Sequence, residues 1–167
     1  MTNLPFSIAQ ERPEDAAAIE RLNERAFGPG RFARTAYRLR EGGSHDFALS
    51  FVARVGTLLV GSNRMTPVGC GEGGALLLGP LTVEPAFRAR GIGRALVEAS
   101  HDAARRAGHH LSLLVGDEPY YGRLGYRRAP HGRFSMPGPV DPMRLLMCEL
   151  QPGALAAAAG AIAALRL

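Results

Sequence analysis

A chain of 167 residues, 46% hydrophobic and 21% charged, is long enough to bury one core and too apolar to stay disordered, so a single domain is expected. All 20 basic residues are arginine and the formal charge is +5, which favours anionic ligands; the missing lysine excludes a P-loop nucleoside triphosphatase, whose motif requires one. Cys70 and Cys148 lack metal-site or disulfide spacing, no leader pattern opens the chain and no apolar run nears ~18 residues, so a cytoplasmic protein without metal or membrane span is expected.

Phe6 to Gln10 reads as a strand. Pro13-Glu14-Asp15 then starts a helix running to about Phe27, because proline suits a first turn and acids suit the positive end of the helix dipole. Ala16, Ile19, Leu22 and Ala26 give that helix its apolar face, and Gly28-Pro29-Gly30 stops it. Phe32 to Arg40 is a second short helix. Phe47 to Arg54 and Thr57 to Thr66 form a hairpin around Gly56, with Pro67 to Gly74 expected as a loop. Ala75 to Val83 is a strand broken at Gly79-Pro80, where proline withholds a ladder donor and implies a bulge or a splay. Gly91 to Ala107 is an amphipathic helix with Ile92, Leu96, Ala99 and Ala103 inward, closed by Gly108. Leu111 to Val115 reads as a buried strand, Pro119 to Leu124 as a short helix, and Tyr126 to Phe134 and Leu145 to Leu150 as the last strands.

The order β-α-α-β-β-β-α-β-α-β-β predicts an α/β fold with a mixed, mostly antiparallel sheet flanked by helices. A parallel βαβ unit from Ala75 to Val115 sits at its centre. Residues 1–150 are expected to hold the domain, and the alanine-rich 151–167 to be a tail or a helix.

Arg88-Ala89-Arg90-Gly91-Ile92-Gly93 falls between a strand and a helix, where the first helical N–H groups are unpaired and carry the positive end of the dipole. Gly91 and Gly93 permit close backbone approach, and Arg88, Arg90 and Arg94 add charged donors, so a pyrophosphate is the expected ligand. The dinucleotide fingerprint G-x-G-x-x-G fails, since Leu96 stands where its third glycine belongs.

Gly79-Pro80-Leu81-Thr82-Val83-Glu84-Pro85 followed by R-A-R-G-I-G-R-A-L resembles the signature of the GNAT superfamily of N-acetyltransferases. Tyr120-Tyr121-Gly122-Arg123-Leu124-Gly125-Tyr126 is similar to that superfamily's second hallmark, aromatic-Tyr-x-x-x-Gly-Phe/Tyr. The nearer likeness is to a branch of bacterial predicted acyltransferases without a fixed substrate. The resemblance implies acetyl-CoA, or another acyl-CoA, as co-substrate and no metal. It implies that Leu81, Thr82 and Val83 run beside the pantetheine arm and that Arg88, Ala89, Arg90, Gly91, Ile92, Gly93 and Arg94 hold the pyrophosphate. Tyr121 takes the place of the superfamily's usual tyrosine, the acid for the leaving thiolate, while Tyr120 is expected in the core.

The expected reaction moves an acyl group from acyl-CoA to a small-molecule or protein amine by direct attack in a ternary complex. A non-catalytic acyl-CoA-binding regulatory module is the alternative. Neither nucleic acid nor membrane is an expected partner, since the arginines follow no recognition pattern, and a homodimer is the assembly considered. Glu72, Glu84, Asp117, Glu118, His45 and His109 are all candidate bases, and no spacing selects one. The resemblance implies an acceptor region in segments 27–43 and 129–142, where Arg31, Arg34, Arg38, His131 and Arg133 suggest either an anionic group on the acceptor or a solvated face.

Overall fold

Thirteen elements are set out along the computed structural model, which describes residues 5–28, 35–41 and 43–165. The strands are β1 (Ser7–Gln10), β2 (Phe51–Val55), β3 (Leu58–Cys70), β4 (Gly73–Val83), β5 (Leu111–Val115), β6 (Arg127–Arg128), β7 (Phe134–Ser135), β8 (Leu145–Glu149) and β9 (Gly160–Ala164). The helices are α1 (Ala16–Phe27), α2 (Thr35–Glu41), α3 (Ile92–Arg106) and α4 (Glu118–Tyr121). The sheet runs β1-β2-β3-β4-β5-β8-β6, with β9 on β3 and β7 on β9. Its pairs are antiparallel except β4 with β5, the expected central βαβ pair, and the two-residue pairing of β7 with β9. None of the helices among the described residues is long and apolar enough to cross a membrane.

The helices divide between the two faces of the sheet. Ile19 and Leu22 of α1 pack on Val52 and Leu59, and Ala36 and Leu39 of α2 on Val68, Leu77 and Leu113. On the opposite face α3 lays Ile92 and Leu96 against Ala53 and Val60, and Val97 and Ala104 against Met65, Leu76 and Leu114. Gly61 lets α3 come this close, since a Cβ there would stand 3.0 Å from Ile92 and 3.1 Å from Leu96. Val97, Ser100, His101 and Ala104 are buried where Ala99 and Ala103 were expected, because α3 turns its polar His101 and Ser100 into partnered positions under the sheet.

Three other expectations are corrected. Pro67 to Gly74 is not a loop: β3 runs on to Cys70 and β4 starts at Gly73, with Pro67 opposite Leu76. Along the other edge of β3, β2 pairs only to Asn63 and β9 only from Val68, so no neighbour beside Pro67 needs its missing N–H. Tyr126 to Phe134 is not one strand, because Pro130 and Gly132 turn the chain between β6 and β7. The alanine-rich end is not simply a tail or a helix: after one 3-10 turn at Ala154–Ala157, β9 pairs with Val68, Gly69 and Cys70, so the sheet extends past residue 150. Cys70 and Cys148 are both buried thiols whose pKa burial pushes up.

A buried polar relay joins α3 to β5. His101 Nε2 lies 2.8 Å from the Tyr126 hydroxyl, which lies 2.7 Å from Ser112 Oγ, all three side chains being buried. Burial lowers the His101 pKa from 6.5 to about 4, with Arg105 reinforcing and Asp102 opposing. Below pH 6.5 the unfolded chain takes up a proton that the native chain refuses, so this contribution is full above that pH and is lost as pH falls toward 4. Urea unfolding should show about 2 kcal/mol less stability at pH ~5 than at pH ~7. His101→Gln keeps a hydrogen-bonding group for Tyr126 and should flatten that slope; a slope that persists assigns the effect to other groups.

Candidate active site

The parallel pairing of β4 with β5 stops at Leu77 and Leu113, although both strands continue. Beyond it come Gly79, at φ +119°, and Pro80, which has no N–H to offer a neighbour. Arg40 of α2 reaches in from the other side, its Nη2 3.4 Å from the Leu78 carbonyl and 2.7 Å from where a Gly79 Cβ would stand. β4 nevertheless stays on β3, with Leu81, Thr82 and Val83 opposite Asn63, Ser62 and Gly61. The Glu84 N–H donates to the Val60 carbonyl at 2.7 Å, so by strand alternation the backbone of Thr82 also faces β3, while Leu81 and Val83 turn theirs to the open side. The side chain of Thr82 is buried and bonded to Asn23 of α1 at 2.6 Å.

Three cavities meet at this parting. On the α3 face a cleft of about 600 Å³ runs from Leu81, Thr82 and Val83 past Arg88, Ala89, Gly91, Ile92, Gly93 and Arg94 to Tyr120, Tyr121 and Arg123. On the α1 and α2 face lies a pocket of about 340 Å³ lined by Glu20, Asn23, Arg40, His45, Arg64 and Pro80. The gap between the strands, about 260 Å³, joins them: Arg40 and Phe27 also line the pocket, Leu81, Tyr120 and Tyr121 also line the cleft.

The cleft is built for an anion. Gly91 begins α3 at φ +83° with no side-chain cap, and the first helical bond runs from the Ala95 N–H to the Gly91 carbonyl, so the amides of Ile92, Gly93 and Arg94 have no partner within the helix. Ala89 also adopts a left-handed φ, +63°, a strain of about 1 kcal/mol kept where the turn curls round the cleft. The residues expected to bind pyrophosphate thus converge, except Arg90, whose guanidinium stacks 5.2 Å from the Phe87 ring outside the cleft lining. Arg123, hidden in the second motif, supplies a cation in its place.

Tyr121 is half-buried between Tyr120 and Tyr126, at ring distances of 4.9 and 6.1 Å. Burial pushes its pKa up to about 12, with Tyr120 and Asp117 adding to the rise and Arg40 and Arg144 opposing it. Tyr120, expected in the core, is instead 47% exposed; it lines the cleft and its hydroxyl lies over Gly93. Burial raises its pKa as well, against Arg94.

Three of the six candidate bases hold arginines, Asp117 among them at the gap itself. Glu84 pairs with Arg25 at 2.7 Å, Asp117 with Arg144 at 3.2 Å and Glu118 with Arg128 at 3.1 Å, while Glu72 is exposed at the turn between β3 and β4. His45 lines the pocket. Of the expected acceptor arginines, Arg31 and Arg34 and the side chain of Arg38 lie outside the described residues, and Arg133 donates to the carbonyls of Leu155 and Ala158, holding the turn before β9.

A mixed sheet parted at its central parallel pair, with an uncapped helix start opening on the parting, defines the acyltransferase fold, and the comparisons agree. The chain belongs to the GNAT family of acetyltransferases, whose acetyltransferase (GNAT) domain model matches residues 46–128. It is 30% identical over 127 residues, 74% of its length, to the uncharacterised N-acetyltransferase YhbS of Escherichia coli K12, covering 75% of that relative. The structure of Escherichia coli YhbS in complex with CoA aligns with 99% of this chain and 92% of its own at a TM-score of 0.82 and 25% identity. A GNAT acetyltransferase from Brucella melitensis in complex with acetyl-CoA aligns at 0.61 and 27% identity, over 91% of this chain and 99% of its own.

Gly116 makes room for Tyr121, since a Cβ there would stand 2.5 Å from the ring. Gly116→Ala should destabilise the protein by about 1–3 kcal/mol in urea and alter the near-ultraviolet signal, which reports tyrosine in a chain without tryptophan. Gly122→Ala, which meets nothing within 4 Å, should stay within about 0.5 kcal/mol of wild type.

Proposed function

We propose that the chain transfers an acetyl group from acetyl-CoA to the amine of a small molecule by direct attack within a ternary complex. The observation that carries this reading is the junction of a cationic cleft at the start of α3 and a second pocket beside α1 and α2, at the parted strands beside Tyr121. Two reactants reach one point from two sides there, as direct transfer requires. CoA and acetyl-CoA in the related structures support the donor. A pocket of about 340 Å³, near the lower bound of roughly 300–1,000 Å³ for ligand sites, supports a small-molecule acceptor over a protein.

In this reading the amides of Ile92, Gly93 and Arg94 and the guanidiniums of Arg88, Arg94 and Arg123 bind the pyrophosphate. Ala89 and Gly91 curl the turn around it, and Arg90 braces the turn against Phe87. Leu81 and Val83 offer backbone groups to the pantetheine amides, and the Leu81 N–H polarises the thioester carbonyl. Thr82, its backbone committed to β3, fixes the strand through Asn23.

The role of Tyr121 follows from its environment. Full proton transfer from a phenol of pKa about 12 to a thiolate near ~8.5 is uphill by roughly 5 kcal/mol. Tyr121 therefore acts as a hydrogen-bond donor to the departing thiolate, a bond to a charged group worth about 1.5–3 kcal/mol.

Acetyl-CoA should raise the melting temperature, and no shift at millimolar concentration would sink the reading. Gly91→Val, strained at a positive φ and projecting into the cleft, should abolish that shift. Tyr121→Phe should lower kcat about ten- to hundredfold with the KM for acetyl-CoA within about threefold. Binding without thiol release across a broad amine panel would favour the non-catalytic module.

A further inference from the structure

Glu11, just after β1, is only 1% exposed, which a carboxylate tolerates when paired. Arg64 grips both of its oxygens, Nε to Oε1 and Nη2 to Oε2, each at 3.0 Å. The register shift in the β3–β4 pair sets Gly79 and Pro80 of β4 opposite the single Arg64 of β3, so the bulge lies on β4, directly across from Arg64. His45 Nε2 completes the group, 2.8 Å from Glu11 Oε2. Burial works to raise the Glu11 pKa, but the hydrogen bonds from His45 and Arg64 and the charge of Arg64 hold it below 4.5. An ionised carboxylate only accepts hydrogen bonds, so Nε2 carries a proton toward it, and in the neutral imidazole the lone pair falls on Nδ1.

The side chain of His45 is 20% exposed and lines the pocket together with Pro80, the residue before Leu81. Among the described residues, its charged surroundings are Glu11, Arg64, Glu20 of α1, Arg40 and Glu41 of α2, and the adjacent Asp46, whose carboxylate accepts from the Ala48 N–H; the Phe47 ring lies 4.5 Å from its own. Glu11 occupies Nε2 and leaves Nδ1 as the nitrogen of His45 that can take a proton from an amine in the pocket.

We propose that the acceptor amine binds in this pocket as its ammonium and that His45, oriented by Glu11, takes its proton. The assignment rests on the acetyltransferase reading above. Nδ1 accepts one proton, and the freed nitrogen lone pair attacks the thioester carbonyl. The C–N bond forms and the C–S bond breaks, the nitrogen gives up a second proton, and the thiolate, held by Tyr121, leaves as CoA thiol with one proton gained. The imidazolium returns the first proton to water. His45 is the catalytic base and Glu11 a positioning residue, the hydrogen-bonded orienter that fixes the tautomer.

The test measures thiol release from acetyl-CoA with two acceptors at pH ~7.5: n-butylamine, almost wholly ammonium there, and trifluoroethylamine, mostly free base. His45→Gln should lower kcat/KM about hundredfold with n-butylamine and less than about fivefold with trifluoroethylamine, and should erase the acid limb of the pH profile. Its KM for acetyl-CoA should not change. Added imidazole should rescue His45→Ala. Glu11→Gln, its fold checked by melting, should move the acid limb to lower pH, because the imidazolium loses its counter-charge. Equal losses with both amines, or a folded His45→Ala that imidazole leaves inactive, overturn the assignment. Transfer that His45→Gln leaves intact overturns it alone; a wild-type protein that releases no thiol with either amine overturns it together with the acetyltransferase reading.

Discussion

The parting of β4 from β5 past Leu77 and Leu113 is the constraint on which the molecule turns. A ladder opened inside a sheet leaves backbone donors and acceptors without partners, and such groups in a core are costly unless something else pairs with them. The opening survives because β4 never leaves β3, its other neighbour, along a register from Gly61 to Cys70. β5 is pinned in the same way from its far side, by five residues of pairing with β8 and by the bond from Ser112 to Tyr126. With both flanks fixed, the gap is a stable wedge and not a frayed edge. Leu81 and Val83 keep their backbone groups turned to the open side of β4, where the Val83 carbonyl accepts from Arg88 Nε at 3.4 Å.

The arginines divide by duty rather than by region. Arg64 neutralises the buried Glu11 and Arg54 the buried Asp15, while Arg105 and Arg133 donate to the carbonyls of Leu150 and of Leu155 and Ala158. These are internal fixtures, and an exchange to lysine would lose their forked geometry. Arg88, Arg94 and Arg123 instead line the open cleft, where the start of α3 already presents positive partial charge. In a chain of formal charge +5, the helix dipole, the free amides and these guanidiniums add at the start of α3.

How much of this was legible follows from where each signal lies in the chain. The start of α3 and the break in β4 are local, written as G-x-G and Gly-Pro, so composition and spacing reveal them. β9 is hidden because Gly160 to Ala164 has only Ile162 as a β-branched residue; its strand is imposed by the open edge of β3 at Val68 to Cys70. The group of Glu11, His45 and Arg64 draws on residues 34 and 53 positions apart, a separation that leaves no local pattern. His45 stood among six candidate bases in the sequence, and its pairing with a buried carboxylate separates it from the rest. Of the arginines in the expected acceptor region, Arg133 serves the fold, while Arg40, at the edge of the predicted helix, stands at the parting.

The two sequence motifs, far apart in the chain, are physically one device. Tyr120 and Tyr121 are neighbours, yet one is 47% exposed on the cleft and the other is half-buried between rings. Two glycines make that difference possible. A Cβ on Gly93, in the first turn of α3, would overlap the Tyr120 hydroxyl, and a Cβ on Gly116, at the end of β5, would strike the Tyr121 ring. Gly93 belongs to the first motif and the tyrosine it admits to the second. The second glycine of R-A-R-G-I-G thus serves twice, leaving its amide open to an anion and letting an aromatic ring close over the start of the helix. Neither motif is sufficient alone, because each shapes the space that the other fills.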